Sequence, residues 1–408
     1  MRILHIATRH IKGGAARNLA FTLNWELQHG HDVQLAVGPD SDLTIVPPDV
    51  ALYVVPHLVR SPRPAADAHG LREIARLLER ARADVVHTHQ SKAGILGRLA
   101  ARGRVPLVVH SIHMAAFGPG YGRAASLLYA AAERFCARFT DFFVPVGEDL
   151  RTAYLAAGIG RPERYHVIHS PLGVEAFLSA RMLTQDERAA IRQRLALPAE
   201  AQVITAAGLL EPRKRFDLII GQLAPLLRSG RAQLLLAGEG PEAAALRARA
   251  EALDVAGAVR LLGYVDDLPQ LFAVSDLFVH ASSAEGVPQV VVQALAAGVP
   301  VVATTVEGLG DLPEGTVTVV DRNGDGLLPA VAGILSRPAD PPVAAELLSP
   351  WTEAAVAARL AAFHARLDEE LAGAWRARPS TPRLAGTSRP PAPAQQRVRG
   401  DEVPARRA

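Results

Sequence analysis

The chain has 408 residues, 49% hydrophobic and 21% charged, with a formal net charge of +3. At roughly 100–200 residues per domain this fits two or three globular domains and excludes gross disorder, collagen-like repeats or coiled coil for most of the length. No apolar run approaches the ~20 residues of a membrane span, and the opening run M-R-I-L-H-I-A meets glycine by Gly13, too soon for a signal peptide, which points to a cytoplasmic start.

In chain order, residues 2–8 read as a buried strand and Ala15–Leu27 as a helix behind a Gly13-Gly14 loop. Strands are predicted at 31–37, 51–55, 84–88, 107–112 and 142–146, with helices at 71–82, 91–102, 123–138 and 148–157. Cys136, the one cysteine, falls in a helical pattern as a small hydrophobe, so neither a disulfide framework nor a cysteine-rich metal site is available. A second alternation begins with a strand at 202–207 and a helix from Asp217. Strands follow at 233–237, 259–262, 277–281, 299–303 and 316–320, and the two arrays join near 170–200. Strands alternating with helices imply parallel βαβ units. The expected fold is therefore α/β, two doubly wound Rossmann-like domains facing across a cleft lined by strand carboxyl ends. The expected domains are 1–175, 176–350, a C-terminal helix at 351–375 and a disordered basic Pro/Arg-rich tail at 376–408. That tail carries eight arginines against Asp401 and Glu402, so the rest of the chain is mildly acidic, and the charge gives no argument for nucleic acid. The plain reading of the tail is a solubilising segment; the sharper one is attraction to an anionic membrane surface.

The loop G-L-L-E-P-R-K-R-F-D (208–217) sets Arg213, Lys214 and Arg215 between a strand end and a helix start, where anions are favoured. Adjacent cations there suit a diphosphate, and the plainer alternative is a solvated basic turn. In S-S-A-E-G-V-P-Q-V-V-V-Q (282–293) a helix is expected to begin near Val287. Glu285 and Gln293, eight residues apart, would then lie broadly on one side of it. An acid and an amide along a cleft suit sugar hydroxyls, which donate and accept; an acid complementing the helix dipole and a solvated glutamine is the alternative. His87 and His89 alternate on one strand face, with His110 and His113 near the end of the next strand. They read as cleft-lining hydrogen bonders or structural histidines rather than zinc ligands, since no carboxylate of fitting spacing accompanies them. Only Lys12, Lys92 and Lys214 are lysine, and each is expected in a cleft loop. G-E-G-P-E-A (238–243) formally matches a dinucleotide fingerprint but follows the second strand of its unit rather than the first, so nicotinamide chemistry is not expected.

The 282–304 run, with G-V-P-V-V-A-T behind it, resembles the signature of the retaining GT-B glycosyltransferases called family 4 (group 1 type). The pieces K-G-G-A-A-R-N-L-A (12–20), D-V-V-H-T-H (84–89), L-A-G-E-G-P-E (236–242) and L-L-G-Y-V-D-D-L (261–268) are similar to others of that family in matching order. The resemblance implies transfer of a sugar from a nucleotide-diphosphate donor to a saccharide or lipid-linked acceptor with retention, without a metal or other cofactor, in cell-surface polysaccharide or glycolipid synthesis. It implies that Gly13 and Gly14 meet the donor phosphate, Arg213 and Lys214 hold the diphosphate, and Glu285 contacts sugar hydroxyls. It further implies that Gly286, Val287 and Pro288 bring backbone to sugar and phosphate, Tyr264 and Val265 meet the base, Gln293 the ribose, and His113 the sugar near its anomeric carbon. Leu209 stands where the family carries arginine, and Gln293 where it carries a second glutamate. Another GT-B-like enzyme, such as a sugar-nucleotide epimerase or a phosphorylase, and an inert nucleotide-sugar binder share these features.

Overall fold

The structure, a computed structural model, describes residues 1–377 other than 12, 119 and 338–340. Lys12 and the tail beyond 377 therefore lie outside the described residues.

Two six-stranded, wholly parallel sheets form the scaffold. The first contains β1 (Arg2–Ala7), β2 (Asp32–Val37), β3 (Ala51–Val54), β4 (Val85–His89), β5 (Leu107–Ile112) and β6 (Phe142–Pro145), in the order β3-β2-β1-β4-β5-β6. The second contains β7 (Gln202–Ala207), β8 (Ala232–Ala237), β9 (Val259–Gly263), β10 (Leu277–His280), β11 (Val301–Thr304) and β12 (Val317–Val320), in the order β12-β11-β10-β7-β8-β9. Runs such as L-L-L-A in β8 are buried on both faces, as helix-covered parallel strands require. Strand order reverses between β1 and β4 and again between β10 and β7. Loops leaving the carboxyl ends diverge at those points, and a crevice opens there.

The first sheet is flanked by α1 (Gly14–Gln28), α2 (Pro64–Ala81), α3 (Ser91–Ala101), α4 (Arg123–Cys136) and α5 (Glu148–Ala156). The join is helical, with α6 (Val174–Ala180) and α7 (Gln185–Arg194). The second sheet carries α8 (Phe216–Arg228), α9 (Ala243–Ala252), α10 (Leu268–Ala273), α11 (Gln289–Ala296) and α12 (Leu327–Leu335). Among the described residues no helix is long and apolar enough to cross a membrane.

The last helix, α13 (Glu353–Ala377), runs two residues past the expected end at 375. Val356, Leu360, Phe363, Leu367 and Leu371 recur at spacings of three and four and make one apolar stripe. That stripe packs with Ile3, Trp25, Val85, Val109 and Phe142, so the C-terminal helix is structurally part of the first domain. α2 likewise starts seven residues earlier than predicted. Pro64 at its first position and Asp67 in its first turn favour helix, but that turn carries no apolar period to read. Cys136 is buried, and burial raises its thiol to about 11, as the hydrophobe reading requires.

The domains touch across the cleft. Asp149 at the start of α5 accepts from the backbone N–H groups of Gly308 and Gly310, each at 3.0 Å, while Asp311 accepts from those of Glu148 and Asp149. Burial and the neighbouring Asp149 and Glu148 carboxylates raise Asp311 to about 6, although those N–H groups pull it down.

Candidate functional site

β7 hands the chain to Gly208, whose φ of +146° is one that only glycine adopts easily. A Cβ there would stand 3.2 Å from Lys214 Cε, so the lysine stem folds back over the glycine. The turn Pro212–Lys214 then delivers two cations to the mouth of the cleft. Lys214 Nζ donates to Glu285 Oε1 at 2.6 Å. Arg213 Nη1 lies 3.2 Å from Glu285 Oε2 and donates to the Ala284 carbonyl at 2.8 Å, while its Nη2 donates to Glu211 at 2.7 Å. Burial pushes the Glu285 carboxyl up, but Lys214 and Arg213 outweigh it and bring it down to about 2. Burial lowers Arg213, and Glu285 and Glu211 more than restore it. Glu285 and Arg213 are therefore charged at neutral pH. His280, 3.6 Å from Glu285, is driven down to about 4 by burial and is neutral.

Glu285 leads through Gly286, Val287 and Pro288 into α11. A Cβ on Gly286 would sit 1.9 Å from the His113 carbonyl oxygen, so only glycine lets these two backbones approach. Gly13 and Gly14 open α1, and a Cβ on Gly14 would lie 2.4 Å from Gln289 Oε1 at the start of α11. Two helix N-termini, one from each domain, thus converge, and their first N–H groups lack intrahelical partners. Tyr264 and Val265 follow β9, with Tyr264 about half exposed.

Several neighbours carried no sequence signal. Gly120 packs on the Ser283 carbonyl, which brings the 113–122 loop over the second domain. Burial raises the Tyr121 hydroxyl, and the charges of Arg213, Glu307 and Glu285 also act on it. Arg9 is lowered by burial and then by Arg60, so those two add positive charge on the first domain's side. Arg322 donates to the Ser283 carbonyl and to Glu307. Each of these lies in an irregular segment whose position only the folded chain fixes.

Three expectations are corrected. α11 begins at Gln289, two residues beyond the expected Val287, so Glu285, expected in the turn before the helix, lies still further from it and the eight-residue spacing to Gln293 gives no shared helical face. Gln293 is buried rather than solvated, and its Nε2 donates to the Leu172 carbonyl at 3.1 Å, tying α11 to the interdomain join. Lys92 is not in a cleft loop; it lies in the first turn of α3 and is held by Asp67 and the Ser61 carbonyl.

The histidines also regroup. His110 turns to the opposite face of its sheet, where Nδ1 meets Thr88 Oγ1 at 3.0 Å above Gly94. The register places His5 beside His87, and His89 one step further along the same face. His5, His87 and His89 are the group whose ring nitrogens gather within 4.8 Å among the described residues. A carboxylate does accompany them, since Glu26 Oε2 lies 2.7 Å from His5 Nε2. Two further nitrogens are engaged as well: His87 Nε2 with Ser111, and His89 Nδ1 with His113 Nε2. G-E-G-P-E-A is a structural device. A Cβ on Gly238 would stand 1.8 Å from the Gly208 carbonyl and one on Gly240 2.4 Å from that of Leu210, so these glycines let two strand-end loops close on each other.

Residues 13–171 match the family model "Glycosyl transferase 4-like domain" and residues 201–344 the model "Glycosyl transferases group 1". The chain is 26% identical over 316 residues to a UDP-Gal:alpha-D-GlcNAc-diphosphoundecaprenol alpha-1,3-galactosyltransferase of Escherichia coli, spanning 76% of this chain and 80% of that protein. It is 27% identical over 305 residues to a putative glycosyltransferase, EpsD, of Bacillus subtilis (strain 168), spanning 70% and 74%. Among solved structures, Anabaena HepE in complex with UDP and glucose superposes with a TM-score of 0.67 at 19% identity, covering 93% of this chain and 100% of that one. WaaG, a glycosyltransferase involved in lipopolysaccharide biosynthesis, superposes with 0.65 at 20% identity, covering 91% and 98%.

Proposed function

From the premise that this chain is a glycosyltransferase of the GT-B type, a 4-like domain followed by a group 1 domain, we propose that it moves a sugar from a nucleotide-diphosphate donor to an acceptor hydroxyl with retention of anomeric configuration. The observation that carries this reading is the Arg213–Lys214–Glu285 cluster beside the start of α11.

A departing diphosphate gathers negative charge as the anomeric carbon becomes oxocarbenium-like. Fixed cations and helix N-termini stabilise that charge without reorganising. In this mechanism Lys214 and Arg213 hold the diphosphate, assisted by the Gly13–Gly14 backbone and the turn Gly286–Pro288. Glu285, kept ionised, accepts from sugar hydroxyls and holds Lys214 in place. Tyr264 and Val265 border the base, and His113 faces the sugar. The acceptor enters from the first domain on the face the diphosphate leaves, and a phosphate oxygen takes its proton. These groups supply the charge stabilisation a divalent metal would otherwise give, so the proposed reaction needs none. Gln293, one of whose Nε2 hydrogens goes to the Leu172 carbonyl, would meet the ribose through the rest of its amide.

The E. coli relative's named acceptor is a diphosphoundecaprenol-linked sugar, which supports a lipid-linked or saccharide acceptor in cell-surface polysaccharide or glycolipid synthesis at the cytoplasmic face. α4 would suit contact with an anionic membrane there, because Leu127 and Leu128 are each 70% exposed on a helix that also carries Arg123 and Arg134.

The test is a panel of UDP-, GDP- and ADP-sugars incubated with and without lipid-linked and saccharide acceptors, with the product anomer read by NMR. Nucleoside diphosphate released only with acceptor, and a retained anomer, are expected. Binding without release would make the protein an inert binder, and an inverted product would refute the stereochemistry.

A further inference from the structure

A row of buried side chains runs from the interior of the first domain to His113. Glu26, on α1, is fully enclosed. Its Oε2 is 2.7 Å from His5 Nε2, His5 Nδ1 is 2.9 Å from His89 Nε2, and His89 Nδ1 is 3.2 Å from His113 Nε2. His364 of α13 approaches the other Glu26 oxygen at 3.2 Å. Every link uses a different ring nitrogen, so the row is continuous.

Its polarity follows from the carboxylate end. Burial pushes the Glu26 carboxyl up, but His5 and His364 outweigh it and hold it well below the usual carboxylate range. An ionised carboxylate only accepts, so His5 Nε2 must donate to it. Burial lowers His89 well below its ordinary value and His113 to about 4, so both are neutral, with one donor and one acceptor nitrogen each. With His5 as a neutral imidazole whose Nε2–H is given to Glu26, its Nδ1 accepts from His89 Nε2–H and His89 Nδ1 accepts from His113 Nε2–H; a cationic His5 would donate from both nitrogens and reverse the row. The direction of the whole row is thus set at the Glu26–His5 end, and with His5 neutral His113 keeps its Nδ1 lone pair unprotonated.

We propose that Glu26, acting through His5 and His89, sets the tautomer and ring orientation of His113, so that a carboxylate three hydrogen bonds away is a positioning residue for the transfer site. The proposal rests on the reading that His113 faces the donor sugar. The physical precedent is the carboxylate that holds a catalytic imidazole in one tautomer without reacting itself. Here two further imidazoles relay the instruction. Their places follow from the sheet: His5 and His89 occupy β1 and β4 on one face at the topological switch point, and α1 crosses that face to bring Glu26 in.

The test is the ring 15N spectrum of histidine-labelled full-length protein, with the His113 signals assigned by their loss in His113→Ala. His5, His89 and His113 are expected as Nε2–H tautomers with hydrogen-bonded protons. In Glu26→Gln the amide can donate to His5 Nε2 and reverse the row, so His113 should shift toward the Nδ1–H form. The kcat should fall about 10-fold or more while donor KM changes less than about twofold, a split that a merely structural role would not give. A wild-type His113 in the Nδ1–H form overturns the proposal even if the variant fails to fold. So does Glu26→Gln with tautomer and kcat unchanged, or one equivalent of zinc bound by the His5, His87 and His89 nitrogens. If His113→Ala itself leaves kcat intact, the reading of His113 at the sugar fails while the spectrum still reports whether the row exists.

Discussion

Lys214 and Glu285 illustrate how a single ion pair serves two ends. Their 2.6 Å contact lies in a largely buried setting, where a lone charge is costly. Lys214→Ala should lower kcat by about 10²- to 10³-fold, the loss expected when one electrostatic stabiliser of a developing anion is removed; steady-state turnover close to wild type would take Lys214 out of the mechanism. The pair also fixes a pH dependence. Glu285 is depressed to about 2 from its ordinary 4.5. The stability it contributes is therefore present above the unfolded value and lost as pH falls through the folded one. Thermal melts from pH 7 to 3 should show Glu285→Gln losing its deficit toward the acid end; a deficit that grows there would contradict the assignment. Arg213, Lys214 and Glu285 were legible because residue type, spacing and loop position coincide. His5 and Glu26 were not, because a histidine inside an apolar strand and a glutamate inside a helix look ordinary until the register sets them side by side.

The elements themselves were largely legible, since buried parallel strands and periodic helices write their pattern into the sequence. What escaped was the start of α11 and the burial of Gln293 against Leu172. Pro288 and the turn before it delay the helix to Gln289, and no apolar period marks that delay. The join was also missed, although T-Q-D-E at 184–187 spells the capping box that starts α7. Gln293→Glu, which restores the acid expected from the resemblance, should cost stability, because a carboxylate facing the Leu172 carbonyl would be buried without a donor. The loss should be about 1–3 kcal/mol in urea unfolding. Undiminished stability with higher turnover would instead turn position 293 toward the ribose.

At the scale of the molecule, the two domains meet through backbones that approach as closely as glycine allows, and through the reciprocal Asp149 and Asp311 contacts. Because Asp311 is raised to about 6 from 3.8 in this closed arrangement, closure takes up protons, and the closed form gains as pH falls through 6. Solution scattering should give a smaller radius of gyration at pH 5 than at pH 7.5, and Asp311→Asn should abolish the difference; a radius that grows on acidification would contradict the sign. Such closure is what excludes water and aligns donor with acceptor in the proposed transfer.

In the proposed transfer a diphosphate leaving group is held between Arg213, Lys214 and the converging starts of α1 and α11. The most direct measurement is a crystal structure of this protein with a nucleotide-sugar that it turns over. Diphosphate oxygens are expected within hydrogen-bonding distance of Lys214 Nζ and of the backbone N–H groups near Gly14 and Gln289. A diphosphate bound away from these groups would contradict it.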